Sequence, residues 1–460
     1  MYFKKYKKIY GGEVIDSGGF GCVFRPQLKC RENQTRKLSK GVTKLMKKKY
    51  AKNEYKEITK YKPILENIKN YQNYFLIEGF SLCNPKELSY NDLKNYKKKC
   101  SALNKKNITI DNVNDSLDEL LGINMPYGGI DIENYIEENI MYPDKIVLLN
   151  KKLIELLKNG VVPMNENNII HCDLKSSNIL VNEENNNLFT RIIDWGLSTT
   201  YYEDKPIPEI IEGRPFQFNM PFSVILFNSL FKKKYNEFLN KTPDLNYHTI
   251  RAFIINFIII FVNDRGQGHL KLINSIIKIL FENDFVENID ETFKNNIVEF
   301  DYTFYFIFDY LTQILLKYTD NEKKKFDEIK YFNEIFIKNV DIWGFISSYV
   351  PILEFLHNNF VELTKEQQVI IFNIKEIYYI LLNNSIKPID INLLIDKLEL
   401  FNSSLLFIND TKLKSISNIK TPFKTHKNEP TKKRKKSIFH KKVIKSLKSI
   451  KNLHKNNEWM

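Results

Sequence analysis

Glycine is scarce in this chain, 16 residues in 460, yet Gly18, Gly19 and Gly21 fall within one turn. Cysteine is scarcer still. The five are Cys22, Cys30, Cys83, Cys100 and Cys172, an odd number with no C-x-x-C pair. That pattern argues against a disulfide framework or a structural zinc site and for a reducing compartment. A Cys30–Cys83 contact is compatible with it, with both thiols read as structural. Long apolar runs are missing too. The most apolar stretch, "AFIINFIIIFV" at 252–262, is too short to span a bilayer and predicts a buried helix. The first residues, "MYFKKYKKIYGGEV", contain no apolar core of a signal peptide, so an intracellular, non-secreted protein is expected. There is no internal repeat.

What is present is an ordinary globular composition, 43% hydrophobic and 27% charged, long enough for two or three domains. The abundance of Asn, Lys and Ile looks like a codon bias and carries no functional signal. Charge is uneven. Residues 411–460 hold sixteen Lys and Arg against Glu429 and Glu458, an excess that equals the +14 of the whole chain. A neutral body therefore carries a basic tail.

From Val14 to Met46 short apolar runs alternate with turn residues. "VIDSGGFGCVF" reads as strand, Gly-rich turn, strand, and "GVTKLM" at 41–46 as a third strand. Residues 47–69 take helical spacing through Ile58, Tyr61 and Ile64. "YFLIEGF" at 74–80 predicts a further strand, 84–117 a loop with helical pieces, and "LLGINMPYGG" at 120–129 a strand running into a turn. Beyond it the chain is mostly helical. One helix is expected over 144–160, capped by the left-handed conformation glycine permits at Gly160.

Two stretches carry chemistry, "HCDLKSSNIL" at 171–180 and "IIDWGLS" at 192–198, joined by a hairpin with the tip "NEENNN". Phosphoryl transfer needs positioned phosphates, magnesium and an oriented nucleophile. A Gly-rich turn lets backbone N–H groups approach phosphate oxygens, although taken alone it is equally a hairpin turn. Lys44 on the third strand can reach phosphates, and Glu54 on the next helix can hold it, with Glu57 as the competing carboxylate. Asn178 and Asp194 supply the hard oxygens magnesium prefers. Asp173 is then free to accept a hydroxyl proton, and Lys175 to neutralise charge on the transferred group. Each of these residues alone would be an ordinary surface polar group. The ordered combination H-x-D-L-K-x-x-N, strand, I-D-x-G is specific.

On these motifs the chain resembles the eukaryotic-type protein kinases over roughly residues 12–350. More narrowly, "GGFGCVFRPQLKC", "MPYGGID", "IIDWGLS" and "RPFQFNMPFS" are similar to the divergent Ser/Thr kinases of large cytoplasmic DNA viruses. The resemblance implies an α+β, bilobal protein-kinase-like fold: a β-rich N-lobe over 1–123, a helical C-lobe over 124–410 with a divergent helical insertion at about 225–335, and the tail 411–460. It implies ATP and Mg²⁺ as cofactors and protein substrates as partners, in host cytoplasm, virion or nucleus. It assigns catalysis to Asp173, Lys175 and Lys44, and metal binding to Asn178 and Asp194. Nucleotide contacts are implied for Asp16, Ser17, Gly18, Gly19, Phe20, Gly21, Val23, Val42, Lys44, Glu54 and Met125. Ile123 falls near the gatekeeper position, and Asp341 in "NVDIWGFI" at the place of an Asp that supports the catalytic loop.

The chain departs from the pattern at several points. Asp16 replaces the first glycine and Trp195 the metal-motif Phe. Cys172 replaces an Arg that in many kinases binds an activation-loop phosphate, so activity without that phosphorylation is expected. No A-P-E follows, although Pro221 can end the activation segment, and no Arg lies between Arg265 and Arg434 to form the usual partner of that Glu. Two other readings stay open, a small-molecule phosphotransferase resembling aminoglycoside and choline kinases, and a pseudokinase scaffold. Lys175 and the "GGFG" turn weigh against the first; Lys44, Asp173, Asn178 and Asp194 against the second.

The tail contains "TKKRKK" and then a helical stripe of Val443, Ile444, Leu447 and Ile450 among lysines. It reads as a solvated appendage, a nuclear-import or nucleic-acid patch, or a helix for anionic membranes. Near an acidic membrane each lysine contributes about 1 kcal/mol, falling with salt. Deleting 411–460 is expected to abolish salt-sensitive binding to DNA or acidic vesicles while leaving phosphotransfer to a peptide intact; vesicle co-sedimentation and gel shifts over a salt series measure it.

Overall fold

The computed structural model describes residues 12–31, 41–203, 205–287, 301–360, 362–409, 447, 448 and 451. The tail motifs otherwise lie outside the described residues. The fold is α+β, with a sheet-rich N-terminal part and a helical C-terminal part. It divides into two compact units that are not contiguous in sequence: residues up to Gly129 are joined by Leu180–Gly196 in the first, and Ile130–Ile179 and the chain from Leu197 form the second.

The first unit is built on an antiparallel sheet of β1 (Glu13–Ser17), β2 (Gly21–Arg25), β3 (Gly41–Lys47), β4 (Ser81–Cys83) and β5 (Leu120–Pro126), in the order β1-β2-β3-β5-β4. Residues directly opposite one another share a face. Val23 lies opposite Lys44, and Lys44 opposite Ile123, so these three form one row. Cys22, Leu45 and Gly122 form the adjacent row on the other face. Helix α1 (Lys48–Leu65) buries Ala51, Ile58, Tyr61 and Leu65. Met46, Ala51, Leu121 and Ile123 form the core on the Lys44 face. The opposite face is covered by the segment 84–117, which contributes Tyr96, Cys100, Leu103 and Val113 to a core with Val14, Cys22, Phe24 and Leu45. Leu103 is fully buried, a contribution of roughly 1.5–3 kcal/mol. This segment is the loop with helical pieces that was expected, with α2 (Tyr96–Lys99) and α3 (Ser101–Asn104).

Three expectations are corrected. The cysteines do not stay free: Cys22 bonds Cys100 and Cys30 bonds Cys83, and only Cys172 remains a thiol. Each pair has its Cα atoms 5.2 Å apart. The strands and the covering segment bring them together from separations of 78 and 53 residues, which local spacing does not reveal. The strand expected at 74–80 is absent from the sheet. Phe75 makes one isolated parallel bridge to Ile192, Gly79 turns the chain with φ 72°, and the strand begins only at Ser81. The apolar signal there reports burial rather than pairing. Gly160 caps nothing. The helix Pro143–Leu156 continues through a widened turn, Leu157–Val161, into Val162–Glu166, and the left-handed residue is Asn168, φ 61°.

In the second unit the helix Ile337–Ser347 is buried along Asn339–Ser347. Gly344 lets it approach the segment above it, since a Cβ there would lie 2.7 Å from the Leu174 carbonyl oxygen. The region 225–335 is mostly helical where described, with Ser229–Lys241, Tyr247–Arg265, Leu270–Glu287 and Asp301–Tyr318, and a short hairpin pairs Thr319–Asp320 with Lys325–Phe326. The 252–262 run is a buried helix segment, with Asn246 and Thr249 forming a capping box at its start. Among the described residues no helix is long and apolar enough to cross a membrane.

Burial, then neighbouring Asp131 and Glu137, pushes the Glu133 carboxyl up to about 7, and burial with Glu133 does the same to Glu354. A carboxyl raised on folding binds more protons folded than unfolded, so its contribution to stability is lost as pH rises from the ordinary carboxylate range through 7. Glu354→Gln removes that loss. Its Tm relative to the parent is expected to be higher at pH 8 than at pH 5; equal differences at both pH values would contradict the assignment.

Candidate active site

In the first unit the Gly-rich turn joins β1 to β2. Gly21 is needed where the turn meets the sheet, because a Cβ there would sit 2.6 Å from the Leu45 carbonyl oxygen. A Cβ on Gly19 would meet nothing within 4 Å, so the turn's tip is open. Phe20 is 53% exposed, with its ring stacked on Tyr50 at 4.7 Å. Asp16 is exposed and Ser17 buried. Lys44 is the one charged side chain among the buried Val42, Thr43, Leu45 and Met46. Its Nζ lies 2.7 Å from both oxygens of Glu54. Glu54 reaches it because it falls between Ala51 and Ile58 on the buried face of α1. Glu57 pairs with Lys60 instead, at 3.9 Å.

Burial pulls the Lys44 ammonium down, but Glu54 and then Asp194 outweigh it and hold it above the usual lysine range, with a smaller push from Asp16. Burial pushes the Glu54 carboxyl up and Asp194 pushes the same way; the two 2.7 Å contacts with Lys44 pull it only part of the way back. Lys44, Glu54 and Asp194 therefore share one electrostatic environment. Asp194 has φ 67° and precedes Trp195, whose buried ring lies 5.9 Å from both Tyr61 and Phe75. Trp195 thus does for this chain the anchoring expected of a large apolar residue. Val42 lies opposite Met125, whose carbonyl oxygen accepts from Gln27 Nε2 at 3.3 Å.

In the second unit Asp341 holds the turn that carries Asp173. Its Oδ2 accepts from the His171 amide at 2.7 Å and its Oδ1 from the Cys172 amide at 2.8 Å, with Asn165 Nδ2 at 2.8 Å. These bonds fix Cys172 at φ 59°, a region that costs a residue with a side chain about 1–3 kcal/mol. Asp173, 8% exposed, is ringed by donors. Lys175 Nζ lies 2.8 Å from its Oδ2, Asn178 Nδ2 3.1 Å from the same oxygen, and Asn219 Nδ2 2.9 Å from Oδ1. Burial pushes this carboxyl up, but Lys175, the Asn219 hydrogen bond and His171 outweigh it, and it lies below the usual carboxylate range. Asn178 Nδ2 also donates to the Asp173 carbonyl at 2.8 Å, which commits the nitrogen and turns the amide oxygen away.

Two residues here escaped sequence reasoning. Asn219 belongs to the "RPFQFNMPFS" stretch, yet nothing local ties it to Asp173. Arg214, 7% exposed, donates from Nη1 to the Cys172 carbonyl at 2.7 Å and from Nε to the Ile210 carbonyl at 2.7 Å. A guanidinium from the segment after Asp194 thus meets the Asp173 turn at Cys172, where the resemblance implies an Arg. A buried cation in an apolar, Pro-flanked stretch was the available signal. The following segment is held by Trp343 Nε1 donating to the Phe218 carbonyl at 3.1 Å and Tyr331 to Ser223 Oγ at 2.7 Å.

The donors suit a hard cation and a polyphosphate. Within the first unit Glu54 and Asp194 gather carboxylate oxygens about Lys44, and in the second Asn178, its nitrogen committed to Asp173, has an amide oxygen to offer. The first unit thus holds a salt-bridged lysine beside a Gly-rich turn, and the second an ordered, donor-ringed carboxylate. Residues 11–216 match the protein kinase domain family. No curated protein matches the chain. Asn219 and Asp341 lie beyond the matched residues.

Burial pushes the Cys172 thiol far above its usual range and Asp341 adds to the shift, so the thiol is neutral and shielded. Iodoacetamide at pH 8 is expected to leave the native protein unlabelled, and in guanidinium without reductant to label Cys172 alone, as read by peptide mass mapping. Labelling of Cys22 or Cys83 without reductant would contradict the disulfide pairing.

Proposed function

We propose that the chain is an ATP-dependent Ser/Thr protein kinase. Asp173 accepts the proton of the acceptor hydroxyl as that oxygen bonds the γ-phosphorus and the bond to the departing ADP oxygen breaks. Its depressed carboxyl, held by Lys175, Asn178 and Asn219, is the observation that carries this reading, because an ionised base is present at neutral pH. Lys175 also offsets charge developing on the transferred group, and its place two residues after Asp173 is the Ser/Thr-type feature. Lys44, kept ionised by Glu54, orients the phosphates. Magnesium, assigned to Asn178 and Asp194, would supply neutralisation of the phosphate charge.

Arg214 supports activity without activation-loop phosphorylation. It ties its own segment to the Cys172 carbonyl, a link that in a phosphate-dependent arrangement would await the added charge.

The test offers the purified chain labelled ATP and Mg²⁺ with mixed proteins and with small alcohols, before and after phosphatase treatment. Transfer to protein Ser or Thr is expected, unchanged by the treatment and reduced at least about a hundredfold in Asp173→Asn. Labelling of alcohols alone, or a variant as active as the parent, would overturn the proposal.

A further inference from the structure

The Gly-rich turn is held from outside by residues distant in sequence. At its entrance Ser17 Oγ accepts from the Ala102 amide at 3.0 Å and from Ser101 Oγ at 3.2 Å. At its exit Cys22 is bonded to Cys100. Three consecutive residues, 100–102, therefore grip both ends of the turn. At the tip Lys106 Nζ donates to the Phe20 carbonyl at 3.1 Å and lies 4.3 Å from the Tyr50 ring centroid, against which Phe20 is stacked. Farther back the Val14 amide donates to the Lys94 carbonyl at 3.2 Å. The Ser17, Cys22 and Val14 contacts fall on the sheet side opposite Lys44, while Lys106 and Tyr50 meet Phe20 at the tip of the turn. Cys22 and Cys100 are both fully buried, which makes their bond a fixed anchor rather than a group open to exchange.

We propose that the segment 84–117 is a positioning clamp for the phosphate-binding turn, with Cys100–Ala102 as the grip on its two ends and Lys106 as the adjustable contact at the tip. A turn with Asp16 in place of a glycine and an anchored exit has little freedom to collapse or swing, and a preorganised turn binds with less ordering cost. The clamp thus sets nucleotide affinity, not the chemical step. Lys106 touches neither substrate nor reacting atoms in this role; it acts through the Phe20 carbonyl.

The inference rests on the kinase reading. Lys106 is only part-buried, so Lys106→Met should fold, and melting temperature checks that it does. The expected result is a KM for ATP and a dissociation constant for Mg-ATP, by calorimetry, raised about three- to tenfold, the size of one net hydrogen bond, with kcat within twofold. Lys106→Arg, which keeps a donor, should restore both, and Lys105→Met, at an exposed neighbour, should change neither. Amide exchange over 18–21 should quicken in Lys106→Met alone. An unchanged KM and dissociation constant in Lys106→Met, or a loss confined to kcat, overturns the clamp while leaving the kinase reading standing. A parent that neither binds Mg-ATP nor transfers phosphate overturns both.

Discussion

A single carboxylate, Asp341, sets the conformation on which the second unit's chemistry depends. It takes two consecutive backbone N–H groups, those of His171 and Cys172, and in doing so holds Cys172 in a left-handed conformation that the residue would not choose. The next residue is Asp173, so the direction of its side chain follows from that turn. Burial pushes the Asp341 carboxyl up, and His171 with the backbone and Asn165 donors pull it only part of the way back. A buried carboxylate of this kind is costly unless its donors are satisfied, which is why the helix carrying it is packed along its length and why Gly344 is there to let the two segments close.

The first unit solves a different problem, that of holding a lysine in a nearly buried strand. Lys44 is tolerated because Glu54 meets it with both oxygens and Asp194 adds to the field. The sheet is used on both sides. One face carries Val23, Lys44 and Ile123 in a row, and the other is sealed by a segment of its own chain through Cys100, Tyr96 and Leu103. A disulfide closing a loop of this length contributes about 2–4 kcal/mol. Two of them in one small sheet-rich unit reduce what the apolar core alone must supply.

The departures from the kinase pattern share a theme. Where an ion pair or a phosphate-reading Arg is expected, backbone carbonyls and aromatic side chains do the holding. Arg214 reaches the Cys172 carbonyl, Trp343 the Phe218 carbonyl, and Tyr331 the Ser223 hydroxyl. Contacts of this type need no added charge, and they hold the segment that delivers Asn219 to Asp173.

The amino-acid sequence by itself determined the pieces whose chemistry is contiguous: the β1–turn–β2 hairpin, Lys44 on its strand, and the run from His171 through Asn178. Their spacing within a few residues fixes which side chains share a turn, and that is local information. It also placed Glu54 on the buried face of α1, though only the packed structure separated it from Glu57. Tertiary structure alone decided the partners of Cys22 and Cys30, the meeting of Asn219 and Arg214 with the Asp173 turn, and the grip of Ala102 on Ser17. Those contacts join residues 42 to 85 positions apart. They depend on sheet register and on which apolar face covers which, and neither is written in the periodicity of any one segment. For the same reason the apolar run at 74–77 looked like a strand: hydrophobicity reports that a residue is buried, while pairing is settled by what lies beside it.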